Sequence, residues 1–462
     1  MDKTTTDIVE YARAYWNSTP TDASREAALR HLVDSVACAI AGHATASAQI
    51  AKAVAQTMSS DYPTTVFGSP WKSAAQYASF ANTVMIRSLD WNDGMLAPGG
   101  GHPSDMVPAV LAAGEVTNAN GSDVIKAMIL AYEVLGSLGT HVDRVDLQLD
   151  QGLFMGAATA VGVGMLYGLT DEQLANAISM SVVSAVPIQA TRRGPLSMWK
   201  GAATAAAIMN ATNAVAYAAA GMTAPAAPFE GEHGLMAAIT GTFQLQIPAY
   251  PEGKMVVEIS HQKMFPAESH SQAILGLAPR ILEVASINEI EAIEVEAYLT
   301  LVVAIGKHPS VWDPKTRETA DHSLPYLLAV ALTDGGVTPA SFTDERIADP
   351  DLRPLMAKIS IEENLEYSAQ YRPPGMELAG SPKLKITVTT GDGIVFDEVV
   401  TYARGHSLNP MTRADIDNKL DTVCVGVIGD HERDRIRDAW WNISDAPNIH
   451  AALETLTHFG GT

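Results

Sequence analysis

Apolar residues in the first half of the chain repeat at the spacing of a helix. The first clear repeat predicts a helix that has Asp22 as its N-cap and ends at Gly42. The same spacing predicts further helices near 47–58, 73–88, 105–117, 123–139, 152–168, 171–186 and 196–221, and near the end of the chain at 412–427, 431–441 and 446–456.

Two of these predicted helices, 152–168 and 196–221, are apolar around most of their circumference and rich in glycine and alanine. Small side chains let helix backbones approach closely, so we expect both in the middle of a bundle. The run from Gly201 to Phe229 carries no charge, but it is mostly alanine and contains Asn210 and Asn213. It therefore predicts a buried core helix and not a membrane span.

The pattern changes near residue 255, where β-branched and partly alternating segments begin. They predict strands at Met255–Ile259, Ile290–Ile305, Ala357–Ile361, Leu384–Thr390 and Ile394–Tyr402. Gly391-Asp392-Gly393 predicts a hairpin turn between the last two. The predicted fold class is mainly α, with a helical domain formed by 1–260 and 405–462 and a smaller α+β domain inserted at 261–404.

The charge balance narrows the function classes. The formal net charge is −22, which argues against a partner that is a nucleic acid or an anionic membrane, because their phosphates would be repelled. The two cysteines, Cys38 and Cys424, cannot form a disulfide framework, so a reducing cytoplasm is the expected location. The first residues show no secretory signal.

Known nucleotide, zinc and hydrolase motifs are missing from the sequence. There is no G-x-x-x-x-G-K-[ST], H-E-x-x-H, CxxC or G-x-S-x-G pattern. The expectation is an enzyme without a cofactor and without a metal site.

Polar residues are concentrated in four segments with apolar surroundings. The first spans 88–105, crosses the glycine-rich turn at 98–101, and can bring Asp90, His102 and Asp105 to one pocket at a helix N-terminus. The alternative is that Asp90 caps one helix end, that Ser104 or Asp105 caps the next helix, and that His102 is a loop residue.

The other three segments are 190–200, 263–272 and 315–326. The first places Arg192 and Lys200 just before an uncharged helix, where they need a counter-charge or a bound anion, and 263–272 lies where the inserted domain begins. Solvated helix entries are the alternative for 190–200 and 315–326.

Six stretches, taken in order along nearly the whole chain, resemble the MmgE/PrpD family. They are LDWND with GHPSD at 89–105, TRRGPLSMWKG at 191–201, FEGEHG at 229–234, KMFPAESHSQ at 263–272, KTRETADHSLPY at 315–326 and GHSLNPMT at 405–412. The resemblance implies a large all-helical domain with a smaller α+β lid, a homodimer, and an enzyme that acts on a small polycarboxylate.

The resemblance also implies the site residues. Its active-site positions correspond to Asp90, His102, Lys200, Lys263, His270 and Tyr326. Asp93, Gly94 and Arg192 are the candidate substrate-binding residues. At position 94 the family commonly has threonine, and the loop at 98–101 often contains a bulkier residue. Both differences remove side chains near the expected pocket.

Dehydration of a hydroxy acid requires a base, an acid and fixed cations for the carboxylates. We expect Lys200 and Lys263 to be the cations, His102 to titrate, and Asp90 to orient its imidazole. Tyr326 or His270 would supply a proton to the leaving hydroxyl.

The expected function is therefore a metal-independent dehydratase, a lyase, acting on a polycarboxylate such as 2-methylcitrate. Decarboxylation of a cis-aconitate type of acid, epimerisation of a dicarboxylate in the same pocket, and a non-catalytic carboxylate-binding protein are the alternatives.

Overall fold

The computed structural model describes residues 1–193, 196–250, 253–371 and 382–459. Its first part is almost entirely helical. The helices are α1 (Lys3–Trp16), α2 (Asp22–Gly42), α3 (Ala46–Gln56), α4 (Ala75–Arg87), α5 (Val107–Val116), α6 (Gly121–Gly139), α7 (Gly152–Leu166), α8 (Asp171–Val183), α9 (Ala203–Ala219) and the single turn α10 (Val256–Ile259), with a two-residue ladder of β1 (Thr64–Thr65) and β2 (Lys72–Ser73) between α3 and α4.

The middle of the chain forms a small sheet covered by short helices. Its elements are α11 (Gln272–Leu275), α12 (Ala278–Leu282), β3 (Ile290–Ala297), α13 (Leu299–Leu301), α14 (Arg317–Ala320), α15 (Leu324–Asp334), α16 (Asp344–Ile347), α17 (Arg353–Met356), β4 (Ile359–Glu363), α18 (Leu365–Tyr371), β5 (Leu384–Thr390) and β6 (Gly393–Val400). Helices α19 (Arg413–Cys424), α20 (Asp430–Trp441) and α21 (His450–Glu454) follow.

The sheet has the strand order β4-β3-β5-β6. Strand β3 runs parallel to β4 and antiparallel to β5, and β5 pairs with β6 in the antiparallel hairpin that the glycine turn predicted. One hydrophobic core draws its residues from 8–257 and 411–456, and a second draws them from 267–396. The mainly α fold class with a smaller α+β lid is confirmed, and the exact domain limits given above stay a prediction.

The two small-residue helices differ in their burial. Fourteen of the fifteen residues of α7 are buried, and a Cβ at Gly162 would lie 2.8 Å from the carbonyl oxygen of Ala127 in α6, so only glycine permits this approach. Helix α9 instead leaves one face exposed, and Asn210 and Tyr217 lie on that face. The prediction that this helix lies in the middle of the bundle is therefore wrong. Among the described residues, no helix has the length and apolar character needed to cross a membrane.

Among the predictions that differ from the structure, three have an identifiable local cause. Thr21 is the N-cap of α2 and accepts from the Ser24 amide, so Asp22 is its first helical residue. The run Met255–Ile259 forms the turn α10, because the buried Glu133 carboxylate accepts from the Val256 amide and starts a helix there. Strand β3 ends at Ala297, where both of its partner strands also stop pairing, and the chain turns helical beyond it.

The chain enters the lid near residue 261 and leaves it near residue 405, and these two connecting segments lie side by side. Gly94 and His261 form an isolated antiparallel bridge, and the Gln262 amide donates to the Gly405 carbonyl at 2.8 Å. The segment 88–105 therefore lies next to the start of the lid, so the polar segments 88–105 and 263–272 meet at one junction.

Candidate active site

Asp90 is the centre of a buried cluster of charges. It follows α4 in a left-handed backbone conformation with φ 50°, which is uncommon for a residue other than glycine. Arg87 Nη1 and Lys263 Nζ each lie 2.7 Å from its Oδ1, and Lys200 Nζ lies 3.2 Å from its Oδ2. Burial alone would raise the pKa of Asp90, but Arg87, Lys263 and Lys200 hold it well below its usual range.

Lys200 connects this cluster to the lid. Its Nζ lies 2.8 Å from Oδ1 of Asp321, and His322 Nδ1 lies 2.7 Å from the same oxygen. Ligand atoms of Asp90, Asp321 and His322 all lie within 4.8 Å of one another, a spacing that would suit a metal ion. The Lys200 ammonium group contacts both carboxylates, however, and so already supplies the positive charge that an ion would provide there.

His102 enters the site from the loop before the 3₁₀ turn Pro103–Met106. Its Nδ1 lies 2.5 Å from the backbone carbonyl oxygen of Asp93. A carbonyl only accepts, so Nδ1 carries the proton and Nε2 keeps a free electron pair in the neutral ring. Burial, then Arg87 and Lys263, hold the pKa of His102 well below its usual value, so the ring is neutral.

The expected role of Asp90 as the group that orients this imidazole is corrected. Asp90 Oδ1 lies 3.9 Å from His102 Nε2, beyond hydrogen-bonding distance, and contacts Arg87 and Lys263 instead. The backbone carbonyl of Asp93 selects the tautomer, because it is the group that meets Nδ1.

Asp93 lies behind the site and not in it. Its buried carboxylate accepts from the Ser104 amide at 2.9 Å and the Tyr132 hydroxyl at 2.7 Å, and His31 Nδ1 lies 3.1 Å away. With these partners the side chain does not face the cavity, so the substrate contact expected of Asp93 does not fit its placement. It positions His102 through its backbone.

His270 approaches the site from the lid. Its Nδ1 lies 2.6 Å from the Tyr298 hydroxyl, its backbone amide donates to Glu268 Oε2 at 2.6 Å, and its Nε2 lies 3.8 Å from Glu268 Oε1. The rings of Tyr298 and Tyr371 stack at 4.1 Å, and both meet the imidazole edge-on. The imidazole is therefore fixed with one nitrogen occupied.

Tyr326 is not brought to the site. It is the third residue of α15 and is fully buried in the lid core, and its hydroxyl donates to the carbonyl of Ser341. The expectation that Tyr326 delivers a proton is therefore corrected, because its hydroxyl group already donates a hydrogen bond inside the lid.

One cavity of ≈ 320 Å³ lies between the helical part and the lid, and residues of both parts line it. Its charged and histidine lining comprises the cations Arg87, Arg144, Arg192 and Lys263, the acids Asp90, Asp143 and Glu268, and the histidines His102, His261, His270 and His322. Gly94 also lines it, whereas Lys200 borders a smaller neighbouring pocket. Six of the nine expected residues thus line the cavity, and Lys200 adjoins it.

Two further arginines line the cavity. Arg192 Nε lies 2.5 Å from Oδ1 of the buried Asp150, and Arg144 Nε donates to the Gly100 carbonyl at 2.9 Å. Burial and then the charge of Arg192 lower the pKa of Arg144 to about 10. The expected substrate contact of Arg192 has a place here, and the glycine loop at 98–101 is held by Arg144.

Sequence reasoning missed several charged and histidine residues that line the cavity, among them Arg87, Arg144, His261 and His322. Arg87 had one signal, a cation in the last turn of an apolar helix, and His322 lay within a segment already singled out. Arg144 and His261 had no local signal, because only the packing of distant segments brings them to the cavity.

Comparisons with known proteins agree with this architecture. The MmgE/PrpD N-terminal domain matches residues 6–248, and the MmgE/PrpD C-terminal domain matches residues 265–444. The 2-methylcitrate dehydratase of Escherichia coli (strain K12) is 29% identical over 361 residues, and that of Salmonella typhi is 30% identical over the same length, with 71% of this chain and 71% of each relative covered. The mitochondrial 2-methylcitrate dehydratase of Yarrowia lipolytica is 27% identical over 88% of this chain and 80% of its own. Matched by both domains over most of its length, the chain belongs to the MmgE/PrpD family.

Proposed function

We propose that the protein is a lyase that removes water from a small hydroxy-polycarboxylate. The observation that carries this proposal is the neutral imidazole of His102, whose unprotonated Nε2 borders a cavity walled by Lys263, Arg144 and Arg192. Such a site combines a base with cations that bind carboxylates, which are the two requirements of dehydration. The names of the relatives support the lyase class.

In the proposed reaction, His102 Nε2 takes a proton from the carbon next to one carboxylate. The electron pair of that C–H bond forms the carbon–carbon double bond. The hydroxyl on the adjoining carbon leaves with the electrons of its C–O bond and takes a proton from His270 Nε2, so that one water molecule is released. The Tyr298 hydroxyl lies 2.6 Å from His270 Nδ1. In the proposed step this hydroxyl donates to Nδ1, so that the proton on Nε2 is the one given to the leaving hydroxyl.

The cation cluster stabilises the charge that develops during proton removal. Arg87, Lys200 and Lys263 outnumber the two buried carboxylates that they contact, Asp90 and Asp321. The excess positive charge lies beside His102 and attracts the substrate carboxylate next to the acidic carbon. The same charge lowers the pKa of His102 and so favours the unprotonated Nε2 that a base requires.

Arg144 and Arg192 supply a second pair of cations for the substrate carboxylates. Arg144 and Arg192 are rigidly held by Gly100 and Asp150, and a guanidinium group suits a carboxylate because it can donate two parallel hydrogen bonds. A substrate that carries two or three carboxylates can therefore contact both groups of cations. We propose 2-methylcitrate, after the relatives, as the first acid to test.

We also propose that the reaction needs no metal. The support is local: the Lys200 ammonium group lies between Asp90 and Asp321, the two carboxylates that would otherwise offer an ion its oxygen ligands. The homodimer and the cytoplasmic location expected from the sequence stay predictions.

The test is turnover of 2-methylcitrate and of citrate, followed by the ultraviolet absorbance of the unsaturated product, with and without EDTA. We expect turnover that EDTA leaves unchanged. Substituting His102→Asn should lower kcat by about 10²–10⁴-fold, and Arg144→Met should raise KM by roughly 10–100-fold with kcat retained. His308→Asn and Arg280→Met change an exposed lid residue each and serve as matched controls.

A silent assay with both acids would overturn the dehydratase proposal, and carbon dioxide release in place of an unsaturated acid would replace it with a decarboxylase. Loss of turnover in EDTA, restored by added metal, would overturn metal independence alone. Unchanged turnover in His102→Asn would remove His102 from the chemistry.

A further inference from the structure

The His261 ring occupies the space at the cavity wall that a side chain at position 94 would need. A Cβ built on Gly94 would lie 2.5 Å from Cε1 and 2.6 Å from Nε2 of the His261 ring, distances that real Cβ atoms do not reach. The imidazole of His261 therefore stands where any side chain at position 94 would begin. Glycine at 94 is required for the ring to lie there.

Two hydrogen bonds hold the backbones of Gly94 and His261 next to each other. The Gly94 amide donates to the His261 carbonyl at 2.9 Å, and the His261 amide donates to the Gly94 carbonyl at 2.8 Å. This closed pair of hydrogen bonds sets the distance between the two Cα atoms. If a side chain is added at position 94, the His261 ring itself must move.

The His261 ring is a polar group of the cavity that the proposed reaction does not use. It lies 3.2 Å, through Nε2, from the Ser269 hydroxyl at the start of a lid turn, and both residues line the cavity. Burial, then the charge of Lys263, lowers the pKa of His261 to about 3, so the ring is neutral.

A neutral imidazole and a serine hydroxyl are weak partners for a carboxylate beside Lys263 and Arg144, which carry full charges. They are good partners for an uncharged hydroxyl, because each can donate or accept a hydrogen bond. The chemistry of this part of the wall therefore matches the one uncharged polar group of a hydroxy-polycarboxylate.

We propose that Gly94 and His261 form a specificity unit: glycine at 94 admits the imidazole of His261, and this imidazole, with Ser269, binds the hydroxyl group of the substrate. The proposal rests on the proposed function for the class of substrate. It assigns His261 a substrate contact that is separate from the proton transfers of His102 and His270.

The test compares binding of two acids that differ by the hydroxyl alone. Citrate and tricarballylate carry the same three carboxylates, and tricarballylate lacks the hydroxyl group. We expect calorimetric titration of the unmodified protein to favour citrate, and His261→Ala to weaken citrate binding by about 10-fold with tricarballylate binding unchanged. Gly94→Ala should have the same selective effect, because the new Cβ displaces the same ring.

The double variant sharpens the test. If both substitutions act through the position of one imidazole, Gly94→Ala with His261→Ala should bind citrate no more weakly than either single variant. Gly429→Ala, at a position with φ −69° and no atom within 4 Å of the added Cβ, is the control and should leave the affinities for both acids unchanged. His261→Asn keeps a hydrogen-bonding side chain and should restore part of the preference for citrate.

The outcomes separate this proposal from the proposed function. Equal losses for citrate and tricarballylate in His261→Ala, or additive losses in the double variant, would overturn the specificity unit and leave the dehydratase proposal standing. If the unmodified protein binds neither acid and turns over neither citrate nor 2-methylcitrate, the proposed function fails and this proposal fails with it.

Discussion

A buried ion pair connects helix α19 to helix α2 close to the candidate site. Lys419 in α19 lies 2.7 Å, through Nζ, from Oδ1 of Asp34 in α2, and both side chains are almost completely buried. The same Nζ donates to the carbonyls of Trp91 at 2.9 Å and Lys263 at 3.3 Å. Lys419→Met removes this cation and leaves the Asp34 carboxylate buried without a counter-charge.

The cost follows from that uncompensated charge. Breaking a buried pair by removing one partner costs about 3–5 kcal/mol of the free energy of unfolding. At roughly 2–4 °C per kcal/mol, Tm should fall by roughly 6–20 °C. Asp34→Asn combined with Lys419→Met should cost less than Lys419→Met alone, because no charge is then left buried.

The loss should also depend on pH. Burial raises the pKa of Asp34 above its ordinary value, and removing Lys419 raises it further. A carboxyl group with a raised pKa in the folded state destabilises the fold as pH rises through that pKa and regains stability as pH falls. The difference in Tm between Lys419→Met and the unmodified protein should therefore shrink from about pH 8 to about pH 5.

Thermal unfolding followed by circular dichroism across this pH range measures the effect. Lys315→Met is the control, because it breaks an exposed pair with Asp313 and should cost about 1 kcal/mol or less. If Lys419→Met costs no more than this control, or if its loss grows toward acid pH, the reasoning about the buried charge is refuted.

Two further predictions concern the site. The pKa of His102 is held well below its usual value of about 6.5, so kcat/KM should stay constant through mildly acid pH. Lys263→Met removes one of the cations that lower this pKa and should move the acid limb of the kcat/KM profile to higher pH. An acid limb at the same pH in both proteins would contradict this prediction. Tyr326→Phe should leave kcat and KM unchanged and lower the free energy of unfolding by about 1 kcal/mol, the usual contribution of one buried hydrogen bond. A large fall in kcat at unchanged stability would return Tyr326 to the chemistry.

Much of the fold was predictable because it depends on periodicity along the chain. Helix α7, strand β5 and the hairpin that follows it were recognised from apolar spacing, β-branched composition and a glycine turn. One error arose where a distant group intervened. The β-branched turn α10 is helical because Glu133, more than a hundred residues away, caps it.

The candidate site shows the same division. The segments that carry Asp90, His102, Lys263 and His270 were recognisable as unusual polar density, and all four residues line the cavity. Neither the role of Asp90 nor the placement of Tyr326 was predictable, because each depends on which partner the side chain meets in three dimensions.

The amino-acid sequence by itself determined the helical body, the inserted lid, the family and the kinds of residue at the junction. The tertiary structure alone decided that Asp90 is neutralised by three cations, that a backbone carbonyl sets the tautomer of His102, and that an imidazole fills the space beside Gly94. The physical reason is that local periodicity governs secondary structure, whereas protonation and reactivity depend on contacts between residues far apart in the chain.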